Sequence, residues 1–124
     1  MLISSAVAPR SGYIDKVDDG YGIDGRFGFS SGCHHGSWVF VIGIPRNAPE
    51  EGPIGLMVPR GEYEIVDNWN VMGLCGTGSC DVVVDAIVPA HRAHSILTAG
   101  SALSDASIYK VPFFTVFPLS LIHI

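Results

Sequence analysis

Two glycine-flexed stretches hold most of the side chains able to do chemistry. The first is Gly25-Arg26-Phe27-Gly28-Phe29-Ser30-Ser31-Gly32-Cys33-His34-His35-Gly36-Ser37-Trp38, which crowds aromatic rings, hydroxyls and two imidazoles into one strand end. Glycine lets a backbone approach a flat ligand closely. An aromatic ring offers a stacking face, and a hydroxyl beside it can hydrogen-bond a heteroaromatic edge. That combination suits a planar cofactor or a base. The same residues also fit a β-bulge with ordinary core aromatics and surface histidines. The second stretch, Gly73-Leu74-Cys75-Gly76-Thr77-Gly78-Ser79-Cys80-Asp81, could line up backbone amides as an anion nest with two hydroxyls, or be a plain turn. It is no phosphate loop of the Gly-Lys-Ser/Thr kind, because a strand follows. Nor does it fit a serine-hydrolase elbow, which needs strand, turn and helix around the serine.

Weaker candidates lie elsewhere. His91 sits just past a strand end, and His94 and His123 have no carboxylate or thiol at ligand spacing, so metal binding is not expected. Cys33 beside His34 suggests a nucleophile pair, but adjacent residues of a strand face opposite ways and their side chains should not meet.

These stretches must be held by strands. Leu2–Ala6, Tyr13–Val17, Tyr21–Asp24, Arg26–Ser31, Trp38–Ile44, Ile54–Val58, Tyr63–Val66 and Val82–Val88 are short runs rich in Val, Ile and aromatics, with Asp67–Val71 a further candidate. Asp18-Asp19-Gly20 has hairpin-turn composition, and Pro59-Arg60-Gly61 is a second turn. Trp38–Ile44 is apolar on both faces and predicts a central strand, with Trp38 packed in the core. The expectation is an all-β domain, an antiparallel barrel or sandwich, over residues 1–92. Residues 93–110 read as a linker. Residues 111–124 are almost wholly apolar with two prolines and predict the start of a helical domain.

Bulk composition agrees. A chain of 124 residues makes one domain, with 15 Gly and 8 Pro punctuating apolar runs. Charged residues are 15% of the chain, below the usual quarter or so, as if other protein covered part of the surface. The net charge of −5 and the lack of a Lys/Arg cluster argue against nucleic acid, and no run suits a membrane span or signal peptide. Three cysteines without CxxC spacing argue against a disulfide framework or a zinc site and point to a reducing cytoplasm.

Taken in order, DGYGIDGRFGFSSGCHHGSW, DNWNVMGLCGTGSCDVVVDAIVPAHR and VPFFTVFP resemble the two-component flavin-dependent monooxygenases of the acyl-CoA dehydrogenase-like superfamily. The likeness runs from about Leu2 to Pro118. It implies the middle β-domain of a longer, three-domain, usually tetrameric protein that takes reduced FAD or FMN from a separate NAD(P)H-dependent reductase. It implies oxygenation of a small aromatic or heterocyclic substrate, with the catalytic acid or base outside this chain and no turnover by the chain alone.

By the same likeness, Phe29 lies against the isoalloxazine and Ser31 bonds near its N5 and O4. Ser30 and Gly32 shape that strand end, and His35 stands near the cofactor. Thr77, Gly78 and Ser79 approach the flavin or its phosphates. Ser31 and His35 are candidate contributors to catalysis. The family commonly has Arg where Cys75 stands, which weakens the case for phosphate binding there. The segment Leu119-Ser120-Leu121-Ile122-His123-Ile124 reads like translated transposon mosaic-end sequence, or else a native apolar helix start, and Met1 reads as an internal methionine. Two other readings remain: an acyl-CoA dehydrogenase with FAD and a carboxylate base, and a non-enzymatic β-barrel binding module. Dehydrogenases more often have a Trp-Ile-Thr-Asn type string where Phe29–Gly32 stand.

Overall fold

The computed structural model describes residues 1–96. Expectations for the remainder of the 93–110 linker, the 111–124 helix start and the 119–124 tail lie outside the described residues.

Among the described residues nine strands form two open sheets: β1 Ile3–Ala6, β2 Ala8–Pro9, β3 Tyr13–Val17, β4 Gly20–Ser30, β5 Trp38–Gly43, β6 Ile54–Pro59, β7 Tyr63–Val66, β8 Cys80–Pro89 and β9 Ala93–Ser95. One sheet has the order β1-β5-β6-β9 and the other β2-β4-β8-β7, with β3 also paired to β4. The expected all-β class is therefore found, as a sandwich whose sheets do not close into a barrel. Pairing is antiparallel except for β1 with β5, which run parallel.

Residue alternation explains the core. In β5, Val39 and Val41 point inward; in β6, Leu56 and Val58; in β8, Val82, Val84 and Val88; all are buried against Phe27 and Ile23 of β4. Burying a ring such as Phe27 contributes on the order of 1.5–3 kcal/mol. As expected, β5 is internal to its sheet. Trp38 at its start is only half-buried, with the Arg92 guanidinium 5.4 Å over its ring, so it edges the core rather than filling it.

The Asp18-Asp19 turn closes the expected hairpin, pairing Val17 with Gly20. Two strand expectations fail for physical reasons. Gly25 does not break the chain into two strands: β4 runs through it, and a Cβ there would stand 2.6 Å from the Gly12 backbone. Asp67–Val71 forms no strand: Asp67 and Asn68 accept from Cys80 and Asp81 at the head of β8 through their side chains, and the Trp69 indole donates to the Leu74 carbonyl. Ala93–Ser95, expected to begin a linker, pairs with β6. The turn after Pro59 is a short 3-10 segment, Arg60–Glu62, and it carries the chain from one sheet to the other.

The β4–β8 ladder runs from Gly20 opposite Pro89 to Ser30 opposite Cys80. It therefore delivers the end of β4 and the start of β8 to the same corner of the sandwich.

Candidate functional site

At that corner the ladder slips. Phe27 pairs with Val82 and Ser30 with Cys80, so β4 uses one residue more than β8 over the same span. This is a β-bulge. Strand parity would put Phe29 on the same face as Phe27, which is fully buried. The bulge reverses it: Phe29 takes φ +62° and is 48% exposed, while Ser30 turns inward. A left-handed backbone at a bulky residue costs roughly 1–2 kcal/mol, and such conformations cluster where function requires them.

The Phe29 ring is held from two sides. Trp69 meets it edge-on at 6.2 Å between centroids, and the Arg10 guanidinium lies 5.2 Å from the ring centre. Trp69 is itself fixed by its indole N–H, which donates to the Leu74 carbonyl at 3.0 Å.

Beside the ring, three hydroxyls form a chain. Ser31 Oγ and Ser79 Oγ are 2.7 Å apart, as are Ser79 Oγ and Thr77 Oγ1. Thr77 also donates to the Leu74 carbonyl at 2.8 Å. A carbonyl can only accept, and each hydroxyl has one proton, so the direction is set. Thr77 spends its proton on Leu74, Ser79 donates to Thr77, and Ser31 donates to Ser79. Ser31 Oγ is left with lone pairs at the exposed end of the chain, ready to accept from an N–H donor. The two stretches are also joined through their backbones, Gly32 N–H donating to Thr77 O at 2.8 Å.

The glycines leave room around this edge. A Cβ at Gly32, Gly73, Gly76 or Gly78 would meet nothing within 4 Å. Val71, Met72 and Leu74 expose apolar side chains along the same loop, Met72 wholly so.

Underneath, Asp81 anchors the arrangement. Its carboxylate is 2% exposed and takes Arg26 Nε at 2.6 Å and Arg10 Nε at 3.0 Å. Its backbone N–H donates to Asn68 Oδ1 at 2.9 Å. Burial would raise the Asp81 pKa, but hydrogen bonds and charge from Arg26 and Arg10 outweigh it and hold the carboxyl below its ordinary value. The carboxylate is capped by two half-exposed guanidiniums rather than deeply interred. Gly28 makes this possible, since a Cβ there would lie 2.7 Å from Arg10 Nε and 3.0 Å from Asp81 Oδ1.

Among the residues singled out from sequence, Phe29, Ser31, Gly32, Thr77, Gly78 and Ser79 come together here. Ser30 does not join them through its side chain: its hydroxyl is buried and bonds Ser4 Oγ at 3.3 Å. His35 lies in the adjoining turn with an exposed side chain, outside the hydroxyl chain. Arg10, Asn68, Trp69 and Asp81 were missed, because nothing in their local spacing marks a contact made across strands. The expectation that Cys33 and His34 cannot meet is also corrected. They sit in a turn, not a strand, and their ligand atoms lie within 4.8 Å of each other and of Cys80 Sγ.

No family model matches the chain. It is 43% identical to the flavin-dependent monooxygenase oxygenase subunit HsaA of Rhodococcus jostii (strain RHA1), over 96% of this chain and 33% of that protein. It is 32% identical to the FADH(2)-dependent resorcinol hydroxylase oxygenase component of a Rhizobium species, over 97% of this chain and 32% of that one. The crystal structure of 3-HSA hydroxylase from Rhodococcus sp. RHA1 superposes with a TM-score of 0.80 at 40% identity, covering 94% of this chain and 32% of that one. The chain belongs to the flavin-dependent monooxygenase group of the acyl-CoA dehydrogenase-like superfamily. It spans about a third of the length of the curated relatives it matches.

Proposed function

We propose that this chain forms one wall of the flavin seat in the oxygenase component of a two-component monooxygenase, with Phe29, Ser31, Gly32, Thr77, Gly78 and Ser79 at the cofactor. The oriented hydroxyl chain beside an outward-held Phe29 carries this reading. The residues fit the group. A strained, exposed ring gives a flat apolar surface, open glycines let the backbone come close, and Ser31 offers an acceptor to a ring N–H. A reduced flavin has such an N–H at N5, which the oxidised form lacks. The Arg10 charge over Phe29 further favours an electron-rich, anionic partner.

A bound reduced flavin would supply the electrons for oxygen activation. What this chain does is orient and shield. Phe29 excludes water from one face of the seat, Thr77 and Ser79 fix the Ser31 hydroxyl, and the Arg10–Asp81–Arg26 cluster holds the strand ends in register. The reaction proposed for the whole protein is oxygenation of a small aromatic or heterocyclic substrate, in keeping with a relative that is a resorcinol hydroxylase. The catalytic acid or base, a separate NAD(P)H-dependent reductase, a homotetrameric assembly and a cytoplasmic setting belong to the same proposal. Among the described residues no helix is long and apolar enough to cross a membrane.

The test is anaerobic titration of the intact protein with reduced and oxidised FAD and FMN. Tighter binding of the reduced form, lost in Phe29→Ala, supports the reading. Indifference to all four, or reduction of bound FAD by an acyl-CoA, overturns it.

A further inference from the structure

A second cluster lies beside the hydroxyl chain, and the proposed function does not use it. Cys33 and His34 from the turn after β4, and Cys80 at the head of β8, place their ligand atoms within 4.8 Å of one another. Cys80 Sγ is 3.6 Å from His34 Nε2 and 3.5 Å from Asp67 Oδ1. In a tetrahedral zinc centre, with Zn–S about 2.3 Å and Zn–N or Zn–O about 2.0–2.2 Å, neighbouring donor atoms stand roughly 3.5–3.8 Å apart. The two edges meeting at Cys80 already have that length. Both thiols are buried, while His34 and Asp67 are exposed, so a cation could enter from the imidazole–carboxylate side.

We propose that Cys33, His34 and Cys80 bind Zn²⁺, with Asp67, which reaches Cys80 but stands outside the mutual 4.8 Å cluster, closing in as fourth ligand when the ion binds. Two thiols, an imidazole and a carboxylate are the donor types that tetrahedral zinc selects. Cys80 Sγ donates to the Asp67 carboxylate at 3.5 Å, a hydrogen bond that a bound cation would replace. Both thiols are packed into the hydrophobic core. Cys33 Sγ contacts the Gly78 carbonyl at 3.6 Å, and burial, reinforced by Cys80, pushes its thiol pKa up.

Four protein ligands leave no position for a substrate, so the role is structural. The ion would pin the turn after β4, the loop after β7 and the start of β8 in one knot, directly behind Ser31 and Ser79. Because the thiols must lose their protons, affinity should rise with pH. The inference does not depend on the flavin reading.

The test uses the intact protein purified under reducing conditions, its metal content measured and the zinc then exchanged for Co²⁺. The expected results are zinc in one-to-one ratio with the chain, and a cobalt form with thiolate charge-transfer and tetrahedral d–d bands. His34→Ala, at an exposed position, should weaken zinc binding by on the order of a hundredfold. Cys75→Ser, at an exposed thiol outside the cluster, should leave it unchanged. Free thiols with neither zinc nor cobalt–thiolate bands would overturn the proposal, as would a Cys33–Cys80 disulfide in the purified protein.

Discussion

Ser31 and Ser79, far apart in sequence, share a 2.7 Å hydrogen bond whose direction is imposed from Leu74 through Thr77. The bond is local in space yet depends on the β4–β8 ladder to bring the two ends together. Removing either hydroxyl breaks the relay at a different point. Ser31→Ala deletes both the exposed acceptor and the proton given to Ser79, and should cost about 0.5 kcal/mol of stability while weakening reduced-flavin binding by roughly tenfold, about 1.4 kcal/mol. Ser79→Ala should also destabilise the fold by about 0.5–1.5 kcal/mol. Urea melts and anaerobic titration of the two single variants and the double variant measure their coupling; strict additivity would show that the bond contributes nothing.

The left-handed backbone of Phe29 predicts an unusual order of variants. Phe29→Gly should be more stable than Phe29→Ala by roughly 1 kcal/mol, because glycine removes the strain and alanine keeps it. Both should lose flavin binding. Thermal and denaturant unfolding of the pair decides the first claim, and equal stability would remove the strain from the argument.

Asp81 sets a pH dependence. Its folded-state carboxyl is held below the ordinary 3.8, so the unfolded chain binds the proton more readily. Its contribution is complete above that ordinary value and is lost as pH falls through the lower folded-state value. Asp81→Asn should therefore flatten the acid limb of the stability curve and leave its neutral slope unchanged. Because both arginines are substantially exposed, the cost at neutral pH should be modest, about 1–3 kcal/mol.

Gly28 is a steric requirement of the same cluster. In Gly28→Ala the new methyl would press on Arg10 Nε and Asp81 Oδ1. Arg10 is the flexible partner and should swing away, leaving Arg26 as the remaining ion pair. The expected loss is about 1 kcal/mol, with the charge over Phe29 displaced and reduced-flavin affinity falling with it. Gly28→Ala in an Arg10→Ala background should cost less, and an equal cost in both backgrounds would show that the clash lies elsewhere.

Much of this was legible in the residues. Alternating Val and Ile runs located the strands, Asp18-Asp19-Gly20 located the hairpin, and the glycine–hydroxyl stretches located the corner where two loops meet. What local patterns could not carry was pairing. Gly25 looked like a break because its role is a close approach by Gly12, distant in sequence. Arg10, Arg26 and Asp81 form one cluster from two strands and the bend after β2, and no spacing along a chain reports that. Cys33, His34 and Cys80 were set aside for the same reason: ligand spacing was sought in sequence, whereas the fold supplies it across the β4–β8 ladder.

The extra residue between Phe27 and Ser30 makes the length of that stretch a counted quantity. Deleting one residue there would restore a regular ladder in which Ser30 still faces Cys80, and the left-handed turn that presents the aromatic would be lost. Point substitutions at this corner can be graded and tolerated, but a change of reading length cannot. Mutational drift in such proteins should therefore leave the number of residues here fixed.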